Sequence, residues 1–230
     1  MTAAAAPSPR PRVAIVEDHE LLAESLVFAF SRRGIEASVV DVEPVEDLAD
    51  RIAAGAPDLA LVDLQLGNTA TSLPVIPALR ARGVEVVVMT GSTSETAWAE
   101  CVEAGASSVV SKTAPLDELL DSVECVLHGE RAMPAPRREE LLDLLRSHRA
   151  RERERLEPFS RLSRREEEVL AHLLEGHSAE FIASSTYVSV ATVRSHIRGI
   201  LSKLGVNSQL AAVAVARRNG WRPPAQVTTG

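Results

Sequence analysis

Leu59-Ala60-Leu61-Val62-Asp63 is a short apolar run that ends abruptly in a carboxylate. Bounded by Ala56-Pro57-Asp58 before it and Gly67-Asn68 after it, a run of this length reads as a strand buried on both faces. Asp63 then stands at the strand's carboxyl end. In open α/β sheets the crevice beyond those ends is where ligands bind. An isolated Asp in that place is an ordinary turn former or cap, so its meaning depends on what the rest of the chain brings to the same rim.

Working outward, apolar strand-like runs alternate with helical patterns. Arg12 to Val16 precedes Glu20 to Arg33, Ile35 to Val40 precedes Val45 to Ala54, and Leu59 to Val62 precedes Leu73 to Ala81. Val84 to Met89 then precedes Ser94 to Ala104, and Ser107 to Val110 precedes Leu116 to His128. A repeated βα unit predicts a parallel sheet with helices on both faces and right-handed crossovers. Gly34, Gly55, Gly83 and Gly105 follow the helices where left-handed C-caps are expected. The strand ends carry Glu17 and Asp18, Asp63, Thr90 and Lys112, and a parallel sheet brings all of them to one rim. Three carboxylates in one crevice repel each other unless a cation neutralises them, and hard oxygen donors suit Mg²⁺. A hydroxyl and an ammonium beside them are what an incoming phosphoryl group needs.

Composition narrows the classes. Of 230 residues, 45% are hydrophobic and 25% charged, as in a globular chain long enough for two domains. No stretch approaches the roughly 18 apolar residues of a membrane span. Met1 to Arg12, with Pro7, Pro9 and Pro11, lacks the apolar centre of a signal peptide and reads as a disordered arm, so a cytoplasmic location is expected. Cys101 and Cys125, the two cysteines, fall inside two expected amphipathic helices with no CxxC or Cys/His cluster beside them, and read as buried reduced thiols. The net charge of −7 hides an asymmetry: residues 1–130 hold 8 Lys/Arg against 21 Asp/Glu, whereas residues 131–230 hold 17 against 11. Only the back half is expected to meet a polyanion.

From Arg131 to Pro158 the composition shifts to Arg and Glu, with Pro134, Pro136 and a short stripe of Leu141, Leu142, Leu144 and Leu145. This reads as a helical linker bounded by prolines. Beyond it, Ser163 and Glu166 form a capping-box pattern before Val169, Leu170, Leu173 and Leu174, and Gly176 ends that helix. Ser178 begins a second helix and Ser189 a third, which runs to about Leu204. Short helices joined by a tight turn fit a helix-turn-helix. On the third helix Val193, Ile197, Ile200, Leu201 and Leu204 face inward, leaving Arg194 and Arg198 outward to pair with guanine edges or with phosphates, with Ser195 beside them and Thr192 and Lys203 placed to clamp the DNA backbone.

Residues 12 to about 130 resemble the receiver domain of bacterial two-component response regulators. The resemblance implies Glu17 and Asp18 as Mg²⁺ ligands, Asp63 as ligand and phosphoacceptor, and Gln65 as a ligand through its backbone carbonyl. It also implies Thr90 as the switch hydroxyl, Lys112 as the phosphoryl-pairing lysine, a sensor histidine kinase as phosphodonor, and a flavodoxin-like (βα)5 fold of strand order 2-1-3-4-5. Two features depart from the family pattern, at three positions. Gly67 and Thr71 stand where a Pro and a Gly are usual, and Val109 stands where many relatives have an aromatic residue.

Leu162-Ser-Arg-Arg-Glu166, Gly176-His-Ser178, Ile182-Ala183, Val188-Ser189, Thr192-Val-Arg-Ser-His196 and Lys203-Leu-Gly-Val206 resemble the LuxR-type four-helix DNA-binding domain. Together the two resemblances point to the NarL/FixJ class, which implies binding to double-stranded DNA as a homodimer through Gln209 to Arg217. Glu180 and Gln209 replace residues that are often basic in relatives.

The expected organisation is a disordered arm over 1–11, a receiver over 12–130, a linker over 131–158, an all-α helix-turn-helix domain over 159–222 and a disordered tail over 223–230. The expected function is transcriptional regulation controlled by phosphorylation of Asp63. The alternative is an atypical receiver controlled by a ligand or partner without phosphate. A phosphohydrolase is disfavoured because Gln65 occupies the place of that class's second Asp.

Overall fold

A computed structural model describes residues 10–67 and 70–223. Most of the expected terminal arm and tail, residues 1–9 and 224–230, lies outside the described residues. The chain divides into two compact units, the first ending at Ser147 and the second beginning at His148.

In the first unit, β1 (Arg12–Val16), β2 (Glu36–Val39), β3 (Leu59–Asp63), β6 (Glu85–Thr90) and β7 (Ser108–Ser111) form one sheet in the order β2-β1-β3-β6-β7. Every pairing in it is parallel. The two remaining strands, β4 (Gln65–Leu66) and β5 (Ala70–Thr71), pair antiparallel as a small separate hairpin. The main sheet therefore has the expected flavodoxin-like order. Alternate residues feed two cores. Ala14, Val16, Ala60, Val62, Val86 and Val88 face one side, and Val13, Ile15, Leu59, Leu61, Val87 and Met89 face the other. This two-sided burial is why the central strands read as continuous apolar runs.

Helices α1 (Glu20–Arg32) and α5 (Leu116–Leu127) cover one face through Leu26, Phe30, Leu119 and Val123. Helices α2 (Leu48–Ala54), α3 (Val75–Ala81) and α4 (Glu95–Ala104) cover the other through Ile52, Ile76, Leu79 and Val102. Cys101 is fully buried there, and burial pushes its thiol pKa up to about 12, so it is unreactive, whereas Cys125 of α5, also expected to be buried, is only half-buried.

Three local expectations are corrected. Gly34, Gly83 and Gly105 have positive φ, but Gly55 is right-handed at −70° and the left-handed turn falls on Ala56 at +45°. The chain leaves α2 one residue later than the glycine suggested. Second, prolines bound the linker helix at one end only: α6 begins at Ala135, directly after Pro134, but runs on to Ser160 with Pro158 inside it. That proline removes the backbone donor that the Glu154 carbonyl would otherwise receive, two residues before the helix ends. Third, the expected leucine stripe is uneven. Leu141 and Leu145 are buried in the first unit's core, with Leu142 packed against it. Arg138 also donates to the carbonyls of Val102 and Ala106 at 3.1 and 3.0 Å, satisfying acceptors at the carboxyl end of α4.

The second unit contains α7 (Arg164–Leu174), α8 (Ala179–Ser185), α9 (Val190–Leu204) and α10 (Gln209–Arg218). Each is N-capped by a serine, at 163, 178, 189 and 208, whose hydroxyl accepts a backbone N–H of the first turn. The core joins Val169, Leu170, Ile182, Val193, Ile197, Ile200 and Ala212. Phe159 stacks on Trp221, with ring centroids 5.7 Å apart, and ties the end of α6 to the segment after α10. Among the described residues, no single helix is long and apolar enough to cross a membrane.

Candidate functional site

At the carboxyl rim of the sheet, Glu17 follows β1, Asp63 ends β3, Thr90 ends β6 and Lys112 follows β7. Glu17, Asp63 and Thr90 are buried. Lys112 reaches across the rim and places its Nζ 2.7 Å from Asp63 Oδ2 and 2.9 Å from Glu17 Oε1. Glu17 Oε2 also lies 2.7 Å from the ammonium, so both oxygens of this buried carboxylate face Lys112. Asp63 Oδ1 accepts the Gln65 backbone N–H at 3.2 Å. Burial pushes the Asp63 carboxyl above its ordinary pKa, and the hydrogen bond from Lys112 only partly offsets this. For Lys112, burial would lower the pKa, but the hydrogen bonds to Asp63 and Glu17 outweigh it and hold the ammonium protonated.

Asp18 is exposed and accepts the Gly67 N–H at 3.1 Å. His19 places its Nδ1 2.7 Å from Glu17 Oε1 and 2.9 Å from Asp18 Oδ1, and its pKa is raised, chiefly by the Glu17 hydrogen bond. Sequence reading missed His19, although its adjacency to the acidic pair was a visible signal. Thr90 lies at the same rim. Its hydroxyl accepts the Ser92 N–H at 3.0 Å, and its carbonyl accepts the Lys112 N–H at 2.8 Å. The structure thus joins Glu17, Asp63 and Lys112 directly, with Asp18 attached through His19 and Gly67. Gln65 stands in β4 with its N–H turned to Asp63. A divalent cation fits this donor set: the oxygens are hard, and the carboxylates of Glu17, Asp18 and Asp63 outnumber the lysine beside them.

In the second unit, α9 presents Thr192, Arg194, Ser195 and Arg198 as exposed side chains. The Thr192 hydroxyl is 2.8 Å from that of the Ser189 cap. Arg194 is 3.2 Å from Glu180 of α8, so the base-reading candidate carries an acidic neighbour. Lys203 does not extend outward as expected. Its Nζ donates to the buried Glu166 Oε2 at 2.5 Å, and the same oxygen accepts the Ser163 N–H at 2.7 Å. A lysine held by a buried carboxylate serves packing, and its assignment to the DNA backbone is withdrawn.

A rim of acids around one lysine, on a parallel α/β sheet joined in one chain to a helix-turn-helix unit, defines a signal receiver coupled to a DNA-binding module. Residues 13–124 match the response regulator receiver domain, and residues 160–216 match the bacterial regulatory proteins of the luxR family. Transcriptional regulatory protein LiaR of Bacillus subtilis (strain 168) is 29% identical over 215 residues, covering 90% of this chain and 97% of the relative. Nitrate/nitrite response regulator protein NarP of Escherichia coli (strain K12) is 29% identical over 213 residues, covering 87% and 92%. The crystal structure of a LuxR-family two-component response regulator from Aurantimonas sp. SI85-9A1 shares the fold, with a TM-score of 0.50 and 21% identity over 62% of this chain and 99% of that one. The chain belongs to the NarL/FixJ class of response regulators, a family of DNA-binding transcriptional regulators and not of enzymes.

Proposed function

We propose that Asp63 accepts a phosphoryl group from the phosphohistidine of a sensor kinase, and that this modification controls dimeric binding to double-stranded DNA in the cytoplasm. The observation that carries the reading is Lys112 held between Glu17 and Asp63 at the carboxyl rim. An Asp63 oxygen forms the new O–P bond as the donor's N–P bond breaks, and Lys112 stays protonated to balance the arriving charge. Glu17, Asp18, Asp63 and the Gln65 carbonyl would hold Mg²⁺, which when bound would supply further neutralisation of the phosphoryl oxygens. The product adds about −1.5 to −2 charges in the crevice. The Thr90 hydroxyl then turns from Ser92 towards the phosphoryl group and draws the β6–α4 loop with it. With no aromatic ring at Val109, the response rests on this hydroxyl and loop. Homodimers form on DNA through α10, while Arg194, Ser195 and Arg198 face the major groove and Thr192 the backbone.

Incubation of the full chain with a small phosphodonor and Mg²⁺, read by intact mass, tests this. The wild type should gain one phosphoryl mass and Asp63→Asn none, and Asp18→Ala should lose the Mg²⁺ dependence. An equal gain in Asp63→Asn sinks the assignment. The β4–β5 hairpin directly after Asp63 favours a second reading, control by a ligand or protein partner without phosphate. That reading predicts an unmodified wild type and full DNA regulation by Asp63→Asn.

A further inference from the structure

The turn between α7 and α8 brings together side chains that the receiver and DNA-binding roles do not use. Gly176, at φ +86°, ends α7 in a Schellman arrangement: its N–H donates to Leu173 O at 3.1 Å and the His177 N–H donates to His172 O at 3.0 Å. In this motif the residue two beyond the cap folds back onto the last helical turn, where an apolar pair usually meets. Here the meeting pair is His172 and His177, with Nδ1 atoms 3.1 Å apart. The Glu175 Oε2 lies 3.3 Å from His177 Nδ1 and 3.8 Å from His172 Nδ1. Phe181 stacks on His177 at 4.1 Å between centroids and meets His172 edge-on at 6.5 Å, which limits the rotation of both rings.

We propose that His172, Glu175 and His177 form a site for a divalent transition-metal ion of the zinc class. One ligand atom from each of the three side chains lies within 4.8 Å of the other two. Bond lengths of about 2.0–2.1 Å to zinc place tetrahedral ligand atoms about 3.3 Å apart, close to the spacings already present. Two imidazoles with one carboxylate select zinc-like ions over Mg²⁺ or Ca²⁺, which take all-oxygen sets. All three side chains are partly exposed, so an ion has a path in and a water can complete the shell. Because the ligands flank Gly176, a bound ion clamps the end of α7 to the start of α8, the first helix of the helix-turn-helix.

The test uses tag-free, chelator-treated full chain in excess Mg²⁺, which keeps the oxygen-rich crevice occupied. Zn²⁺ is titrated by calorimetry, and Co²⁺ is used as a visible-absorption probe. The wild type should bind one Zn²⁺ per chain, show a cobalt band that Zn²⁺ displaces and Mg²⁺ does not, and melt at higher temperature with Zn²⁺. Affinity should fall at least about tenfold in His172→Gln/His177→Gln and in Glu175→Gln. The exposed Glu175 variant keeps the test decisive if the double variant fails to fold. Equal zinc binding by wild type and variants, or no cobalt band in the wild type, overturns the proposal.

Discussion

Lys203 and Glu166 are joined by a 2.5 Å hydrogen bond that ties the last turn of α9 to the capping box of α7. Lys203→Met should therefore act on stability before it acts on DNA. Removing one partner of a buried carboxylate costs about 1–3 kcal/mol, after discounting for the lysine's partial exposure. Chemical denaturation should show that loss, while the salt dependence of DNA binding by the folded variant stays unchanged. A flattened slope of about 0.9 in log K against log salt would return Lys203 to the DNA backbone.

The same contact sets a pH dependence. Burial alone would raise the Glu166 pKa, but the hydrogen bonds from Lys203 and Ser163 outweigh it, and the folded value lies below the ordinary 4.5. A lowered folded value means stability that is present above 4.5 and lost as pH falls through the folded pKa. The stability gap between wild type and Lys203→Met should be full at pH 7 and narrow below pH 4.5. A gap that widens with acid contradicts the assignment.

Gly199 lies against the same carboxylate. A Cβ at position 199 would collide with Glu166 Oε1, and Glu166 cannot swing aside without releasing Lys203 and Ser163. Gly199→Ala should cost about 1–3 kcal/mol despite its better helix propensity. In a double-mutant cycle the cost should shrink or reverse in a Glu166→Ala background. Additive losses would place the strain elsewhere.

At the other rim, Lys112→Met leaves Glu17 and Asp63 facing each other without a cation. Breaking a buried pair in this way costs about 3 kcal/mol. Thermal melting in chelator should show the loss, and millimolar Mg²⁺ should restore more stability to the variant than to the wild type. Equal Mg²⁺ responses would mean that the ion does not share the lysine's carboxylates.

Where pattern and physics are local, the sequence was sufficient. The two-sided strands announce themselves as apolar runs, each serine cap lies where its helix begins, and Glu17, Asp63 and Lys112 meet because a parallel sheet aligns strand ends. Features set by tertiary contact were hidden. Nothing in the apolar pattern distinguishes Lys203 paired to Glu166 from Lys203 turned to solvent, because its partner lies 37 residues away. The β4–β5 hairpin is too short for any periodicity to show. The pairing of His172 with His177 depends on the left-handed turn at Gly176, although the His-x-x-Glu-x-His spacing was there to be noticed.

In the proposed docking of α9, Arg194 is the point at which specificity and its restraint meet. Its guanidinium lies 3.2 Å from Glu180, an exposed pair that solvent screens and that a guanine edge or a phosphate can displace. Arg198, one turn further on the same outward face, is also exposed. Arg194→Ala and Arg198→Ala should each cost about 1–3 kcal/mol on a preferred site and relax preference at one base position. Glu180→Ala should act in the opposite direction, strengthening binding to preferred and scrambled DNA alike, because it removes a negative charge that faces the phosphates and frees Arg194. Binding of the three variants to both DNAs across a salt series separates the roles. If both arginine variants lose equally on the two DNAs with base preference intact, the arginines hold phosphates and the reading surface lies elsewhere on α9. If Glu180→Ala weakens binding, the carboxylate is positioning Arg194 for the groove and does not restrain it.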